Sequence, residues 1–173
     1  CSRTEFKEQQ LMADDLRLHP RARAFCIGAA NRLCPDVPYG DGRGWACMSR
    51  HKDDPTMPPA CRAILTSHER LQHYEFLLNP QLAKYCSQEA ARICPFQAAM
   101  SNITQFGSEG ATISCLIENR KRVQSQPCKN VLLEKAIQRL ANIDNSPEAA
   151  QFCSWDIDRF CRGVPKNANR GLV

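Results

Sequence analysis

Aromatic residues make up only 7% of this 173-residue sequence, and glycine occurs eight times. With 24% charged residues besides, a purely hydrophobic core is therefore not generous. No apolar run approaches the ~20 residues needed to span a bilayer. No Cys-x2-Cys or His-x3-His pair occurs, which excludes the usual zinc and dithiol redox motifs. There is no glycine-rich phosphate loop and no nucleophile motif. The net charge of +5 comes from basic residues interleaved with acids, as in RHKDD and ENRKR. Such mixing makes a solvated surface, not the one-sided basic face that nucleic acid requires. The sequence opens at Cys1 without Met or secretory leader, and reads as an internal piece of a longer chain.

What is abundant is cysteine, with eleven residues. That usage points to an oxidising compartment and a disulfide framework, with no metal and no cofactor implied. An odd count leaves at least one cysteine without an internal partner. The separations from Cys1 run 25, 8, 13, 14, then 25, 8, 21, 13, then 25, 8. The intervals of 25 and 8 each occur three times, which marks an internal repeat. Its period is 60 residues from Cys26 to Cys86 and 67 from Cys86 to Cys153. Most of the difference sits in the loop after the second cysteine, PDVPYGDGRG in one copy and PFQAAMSNITQFGSEG in the next.

Other residues keep the register. Pro20, Pro80 and Pro147 each stand six residues before a cysteine, and Phe25, Tyr85 and Phe152 immediately before it. Proline there fits the first turn of a helix, with Asn79 and Ser146 as N-caps. The segments after Cys61 and Cys128 lack Gly and Pro and are apolar at helical spacing through Ile64, Leu65, Leu71 and Phe76, and through Val131, Leu132, Lys135, Ile137 and Leu140. No stretch alternates like a strand. The expected fold is all-α: disulfide-stapled helical repeats in tandem array. The expected boundaries are the end of a preceding repeat at 1–20, repeats at 21–78 and 79–145, and the start of another at 146–173.

On a helix, cysteines eight apart are separated by about 12 Å and about 80°. They cannot bond to one another, so each ties the helix to a different neighbour. If the long helix after Cys61 folds back near residue 78, Cys94 lies opposite Cys61. The expected pairs are then Cys1–Cys34, Cys26–Cys47, Cys61–Cys94, Cys86–Cys115 and Cys128–Cys161, leaving Cys153 unpaired. A nested scheme, Cys34–Cys47 inside Cys26–Cys61, is the rival. It orphans three cysteines where the first orphans one, and the first is preferred on that ground.

Catalytic residues are not in evidence. Glu89 and Asp158 have no convergent partner in the sequence, and Ser, His and acid form no triad. His68 and His73 are expected on the surface, and Trp45 and Trp155 in the core. Asn102-Ile103-Thr104 is a glycosylation sequon in the longest loop. Arg120, Lys121 and Arg122 form a weak basic patch, read as a solvated helix end.

The text LNPQLAKYCSQEAARIC, GATISCLIENRKRVQSQPCKNVL and GRGWACMSRHKDDPTMPPACRAIL resembles the cysteine-rich repeat of the Golgi apparatus protein 1 family. That family is also known under cysteine-rich fibroblast growth factor receptor and E-selectin ligand 1. The resemblance runs along essentially the whole chain, although NIDNSPEAAQFC lacks the leucine two after proline. It implies a lumenal binding region of a Golgi membrane glycoprotein, anchored outside this stretch, with growth factors or glycan-recognising receptors as protein partners. The alternative is a rigid spacer or scaffold subunit that contacts neighbouring subunits of a larger assembly.

Overall fold

A computed structural model describes residues 3–103 and 110–164. The described residues are helical, with no strand among them, so the fold is all-α with disulfide staples. The order is α1 (Arg3–Asp14), α2 (Pro20–Phe25), α3 (Ile27–Leu33), α4 (Arg43–Arg50), α5 (Pro59–Tyr74), α6 (Pro80–Ile93), α7 (Pro95–Ile103), α8 (Ala111–Glu118), α9 (Gln126–Ala141), α10 (Pro147–Phe152) and α11 (Ser154–Phe160). Short 3-10 turns follow α1, α5 and α9 at Leu16–Leu18, Phe76–Leu78 and Ile143–Asn145.

Local chemistry explains these boundaries. Pro20, Pro80 and Pro147 open α2, α6 and α10, where a missing N–H costs nothing. Asn79 Oδ1 accepts from Leu82 N at 3.0 Å, the expected cap. Ser146 makes no side-chain cap bond, contrary to expectation. His19 does the same work for α2, its Nδ1 accepting from Ala22 N at 3.2 Å. Burial, and then the charge of Arg21, lowers the pKa of His19, which favours the neutral ring needed to accept that bond. Where a loop was expected after Cys94, Pro95–Ile103 forms α7. Pro95 sets the first turn, and neither Gly nor Pro interrupts the residues that follow until Gly107.

The chain divides into two compact units, Cys1–Gln72 with Leu77–Lys84, and His73–Phe76 with Tyr85–Val173. In the first, the core gathers Leu16, Trp45, Met48, Ile64 and Leu65 around the buried Cys26 and Cys61. Each unit uses the same glycine device. Gly42, at φ 68°, donates to Asp14 O and opens α4; Gly110, at φ 77°, donates to Tyr74 O and opens α8. Both acceptors stand at the same position of a long helix, thirteen residues after Cys1 and Cys61. A Cβ on Gly110 would lie 2.5 Å from His73 O, so this close approach requires glycine.

The bridges are Cys26–Cys61 and Cys34–Cys47 in the first unit, and Cys86–Cys128 and Cys94–Cys115 in the second. This is the nested scheme, and it corrects the preferred one. Cys26–Cys47, Cys61–Cys94 and Cys86–Cys115 do not form, and Cys34 and Cys128 are taken by Cys47 and Cys86. Cys161 is therefore free along with Cys153, and Cys1 lies outside the described residues. The hairpin assumption failed for a physical reason. The first turn of α5 closes back onto Cys26 within the first unit, while Cys94 belongs to the second. Counting orphans also misled, because it assumed that every half-repeat finds its partner within the sequence.

Candidate functional site

The cassette helix α6 shows how one face is committed to the framework. Cys86, Glu89, Ala90 and Ile93 are buried, at the i, i+3, i+4, i+7 spacing of one helical stripe. Ser87, Gln88, Ala91 and Arg92 are exposed. Glu89, for which the sequence offered no partner, is a structural acceptor. Its Oε1 takes Gln124 N at 2.6 Å and Ser125 N at 2.7 Å, just ahead of α9. Its Oε2 takes Arg92, which also donates to Arg122 O at 2.7 Å. These donors, the Ser125 N–H first and Arg92 next, hold the Glu89 carboxyl down at about 2. The first unit has Ala29 at this register, and Met57-Pro58 at the register of Gln124-Ser125. Pro58 has no N–H to satisfy, and Met57 N already donates to Asp54 O. The acid and the donors thus appear and vanish together.

Glu89→Ala is expected to cost roughly 2–3 kcal/mol at neutral pH, since two N–H groups lose a charged acceptor. Because folding depresses this pKa from 4.5 to about 2, the Glu89 contribution is complete above pH 4.5 and fades as pH falls toward 2. Urea midpoints of wild type and variant should differ at pH 7 and converge in that acid window. An unchanged gap at pH 2.5 would contradict the assignment.

The basic patch is a 3-10 turn, Arg120–Arg122, exposed at all three residues. Arg120 and Arg122 reach back to Ile117 O and Asn119 Oδ1, both at 3.4 Å. Asn102 lies in the last turn of α7, and Thr104 of its sequon lies outside the described residues.

Trp45 is buried as expected. Its indole donates to Met12 O at 2.9 Å, and its ring stacks on His68 at 3.7 Å with His19 edge-on at 5.5 Å. Trp155 is exposed, correcting the expectation of a core residue. His68 and His73 are both buried, not on the surface. The Trp45 ring covers His68, while His73 hydrogen-bonds with Gln138 Oε1 at 3.2 Å and takes Arg139 Nε at 3.4 Å. Spacing alone could not show this, because the long helix is covered along more than one stripe. The first unit also holds a cavity of about 250 Å³ lined by Met12, Ala13, His19, Ile64, His68 and Leu71 among others. At three of these positions the second unit has His73, Lys135 and Gln138, joined in one hydrogen-bonded network.

Among the described residues one trio with ligand atoms converges, Cys34, Cys47 and His51, all within 4.8 Å. Its two sulfurs are bonded to each other, which withdraws them as thiolate ligands. No helix among the described residues is long and apolar enough to cross a membrane.

One surface feature recurs in every copy. Phe25, Tyr85 and Phe152, each just before a first cysteine, are 52%, 39% and 74% exposed. An aromatic is held in register and stays partly solvent-exposed in each copy.

A tandem all-α chain whose cysteines staple successive helices defines a cysteine-rich repeat protein. The family model described as a cysteine rich repeat matches residues 59–124 of this chain. It is similar to Golgi apparatus protein 1 of Homo sapiens and Mus musculus, 24% identical over 170 residues in each case. The Golgi apparatus protein 1 homolog of Caenorhabditis elegans is 25% identical over 169 residues. These alignments take in 95%, 95% and 93% of the chain but only 14% of each relative. No solved structure matches. The matched stretch is out of phase with the disulfide-closed units. It contains Cys61 and Cys86, whose partners Cys26 and Cys128 lie outside it, and encloses only Cys94–Cys115.

Proposed function

We propose that this chain is a non-enzymatic binding region in the lumenal or extracellular part of a membrane glycoprotein of the secretory pathway. Its ligands are proteins of the growth-factor or cell-surface receptor type. The observation that carries this reading is the exposed aromatic in each of three copies, at Phe25, Tyr85 and Phe152. Exposed aromatics contribute most of the energy at many protein interfaces, and burial of one on binding is strongly favourable. The name of the relatives, Golgi apparatus protein 1, supports the compartment. The framework residues supply rigidity and no chemistry: four bridges consume eight cysteines, and Glu89 is spent on backbone N–H groups.

The test is surface-immobilised binding of a fibroblast-growth-factor-type ligand and of a selectin ectodomain. The triple variant Phe25→Ser, Tyr85→Ser, Phe152→Ser should lose at least about tenfold in affinity, since each such contact is worth about 1 kcal/mol or more. Its circular dichroism should stay unchanged. Equal binding by wild type and variant, or no binding by either, would favour the spacer or scaffold reading.

A further inference from the structure

The cavity of about 250 Å³ in the first unit has a buried floor and an exposed rim. Ala13, Ile64 and His68 line it and are buried, while Leu71 keeps 39% of its surface in solvent. Two polar groups line the same space. His19 accepts the Ala22 N–H through Nδ1, so its neutral ring carries the proton on Nε2. That N–H has no acceptor among the described residues. Arg21 is exposed and has no hydrogen-bond or ion-pair partner among the described residues. It stands close enough to His19 for its charge to act on that ring. An apolar interior is thus joined to one fixed cation and one spare N–H donor, and no acidic residue lines the cavity.

The second copy of the repeat has neither the space nor the donors. At the Ala13 register stands His73, fully buried and hydrogen-bonded to Gln138, which takes the place of Leu71. Lys135, in place of His68, donates to the same Gln138 oxygen at 2.9 Å. Asn79 replaces His19 and spends its Oδ1 on the cap of α6, and Gln81 replaces Arg21. A mere packing defect would come without matched polar groups. Here the space and the donors occur together in one copy and are missing together in the other.

We propose that this cavity is a binding site for a small apolar monocarboxylate, a single ring or short alkyl chain that ends in a carboxylate group. The volume falls just below that of sites for drug-sized molecules, which sets the size of the apolar body. That body covers Leu71, Ile64 and Met12, and removing their surface from water favours the complex. The carboxylate accepts from the Arg21 guanidinium and from the His19 Nε2–H, which makes at least one bond charge-assisted. With Nδ1 committed to Ala22, His19 stays neutral and the site supplies one positive charge. A phosphate or dicarboxylate would leave a second negative charge unpaired against apolar walls, at a large desolvation cost. The site is separate from the exposed aromatics, so binding of a protein ligand and of this acid can succeed or fail independently.

The test is titration of the protein, disulfides intact, with hydrocinnamate, followed by the ring-proton NMR signals of its four histidines. The Hε1 signals of His19 and His68 should shift saturably, and those of His51 and His73 should stay in place. Hydrocinnamyl alcohol, which lacks the charge, should bind at least about tenfold more weakly than the acid. Arg21→Gln, a change at an exposed position, should weaken hydrocinnamate by a similar factor. Ala13→His places there the residue that the second copy uses, and should abolish saturable binding with circular dichroism unchanged. If Ala13→His disturbs the fold, Arg21→Gln and the alcohol decide. Absence of any saturable shift in the wild type, equal affinity for acid and alcohol, wild-type affinity in Arg21→Gln or in folded Ala13→His, or shifts at His51 or His73 without His19 would each overturn the proposal.

Discussion

The double substitution Cys26→Ala, Cys61→Ala is expected to cost about 4 kcal/mol, against about 3 kcal/mol for Cys34→Ala, Cys47→Ala. The difference follows from loop length: the first bridge spans 35 residues and the second 13, so the first removes more freedom from the unfolded chain. Cys86–Cys128, spanning 42 residues, belongs with the larger effect. Summed over four bridges, the loss is comparable to the entire stability of a small domain. Full reduction should therefore abolish helical circular dichroism and cooperative unfolding at 25 °C, while EDTA under oxidising conditions should change neither. Loss of helicity in EDTA alone would contradict a fold held by disulfides. Equal urea midpoints for the 35-residue and 13-residue double variants would contradict the loop-length argument.

Trp45→Ala should be nearly as damaging, about 3–5 kcal/mol. Trp45 is the largest fully buried side chain of its unit, and its removal leaves a cavity between His19 and His68 and an unpaired Met12 carbonyl. Trp45→Phe keeps most of the volume and loses the N–H donor, so about 1–2 kcal/mol is expected. Urea denaturation of both variants gives the comparison. Fluorescence gives an independent check: Trp45 should resist acrylamide quenching and Trp155 should be quenched freely, given their opposite exposure. At the Trp45 register the second unit has Ile113, also fully buried. The repeat preserves burial there and not the residue type.

The sequence by itself determined the repeat, most of the helices and the use of cysteines as disulfides. Cysteine intervals of 25 and 8, prolines at helix starts and Gly-free apolar segments are local signals, and local signals are written in spacing. Tertiary structure alone decided the pairing of cysteines. Eight residues on a helix exclude an internal bond, but which neighbour receives each sulfur depends on how the ends of α5 and α9 close onto the cassettes before them. The same holds for His68, His73 and Glu89. The sequence places His68 and His73 on the surface and gives Glu89 no partner, yet each is buried because a partner distant in sequence meets it: Trp45 for His68, Gln138 and Arg139 for His73, the Gln124 and Ser125 amides for Glu89. A polar side chain is buried only where such a partner offsets its lost hydration. That condition is set by packing between elements, which no single segment encodes.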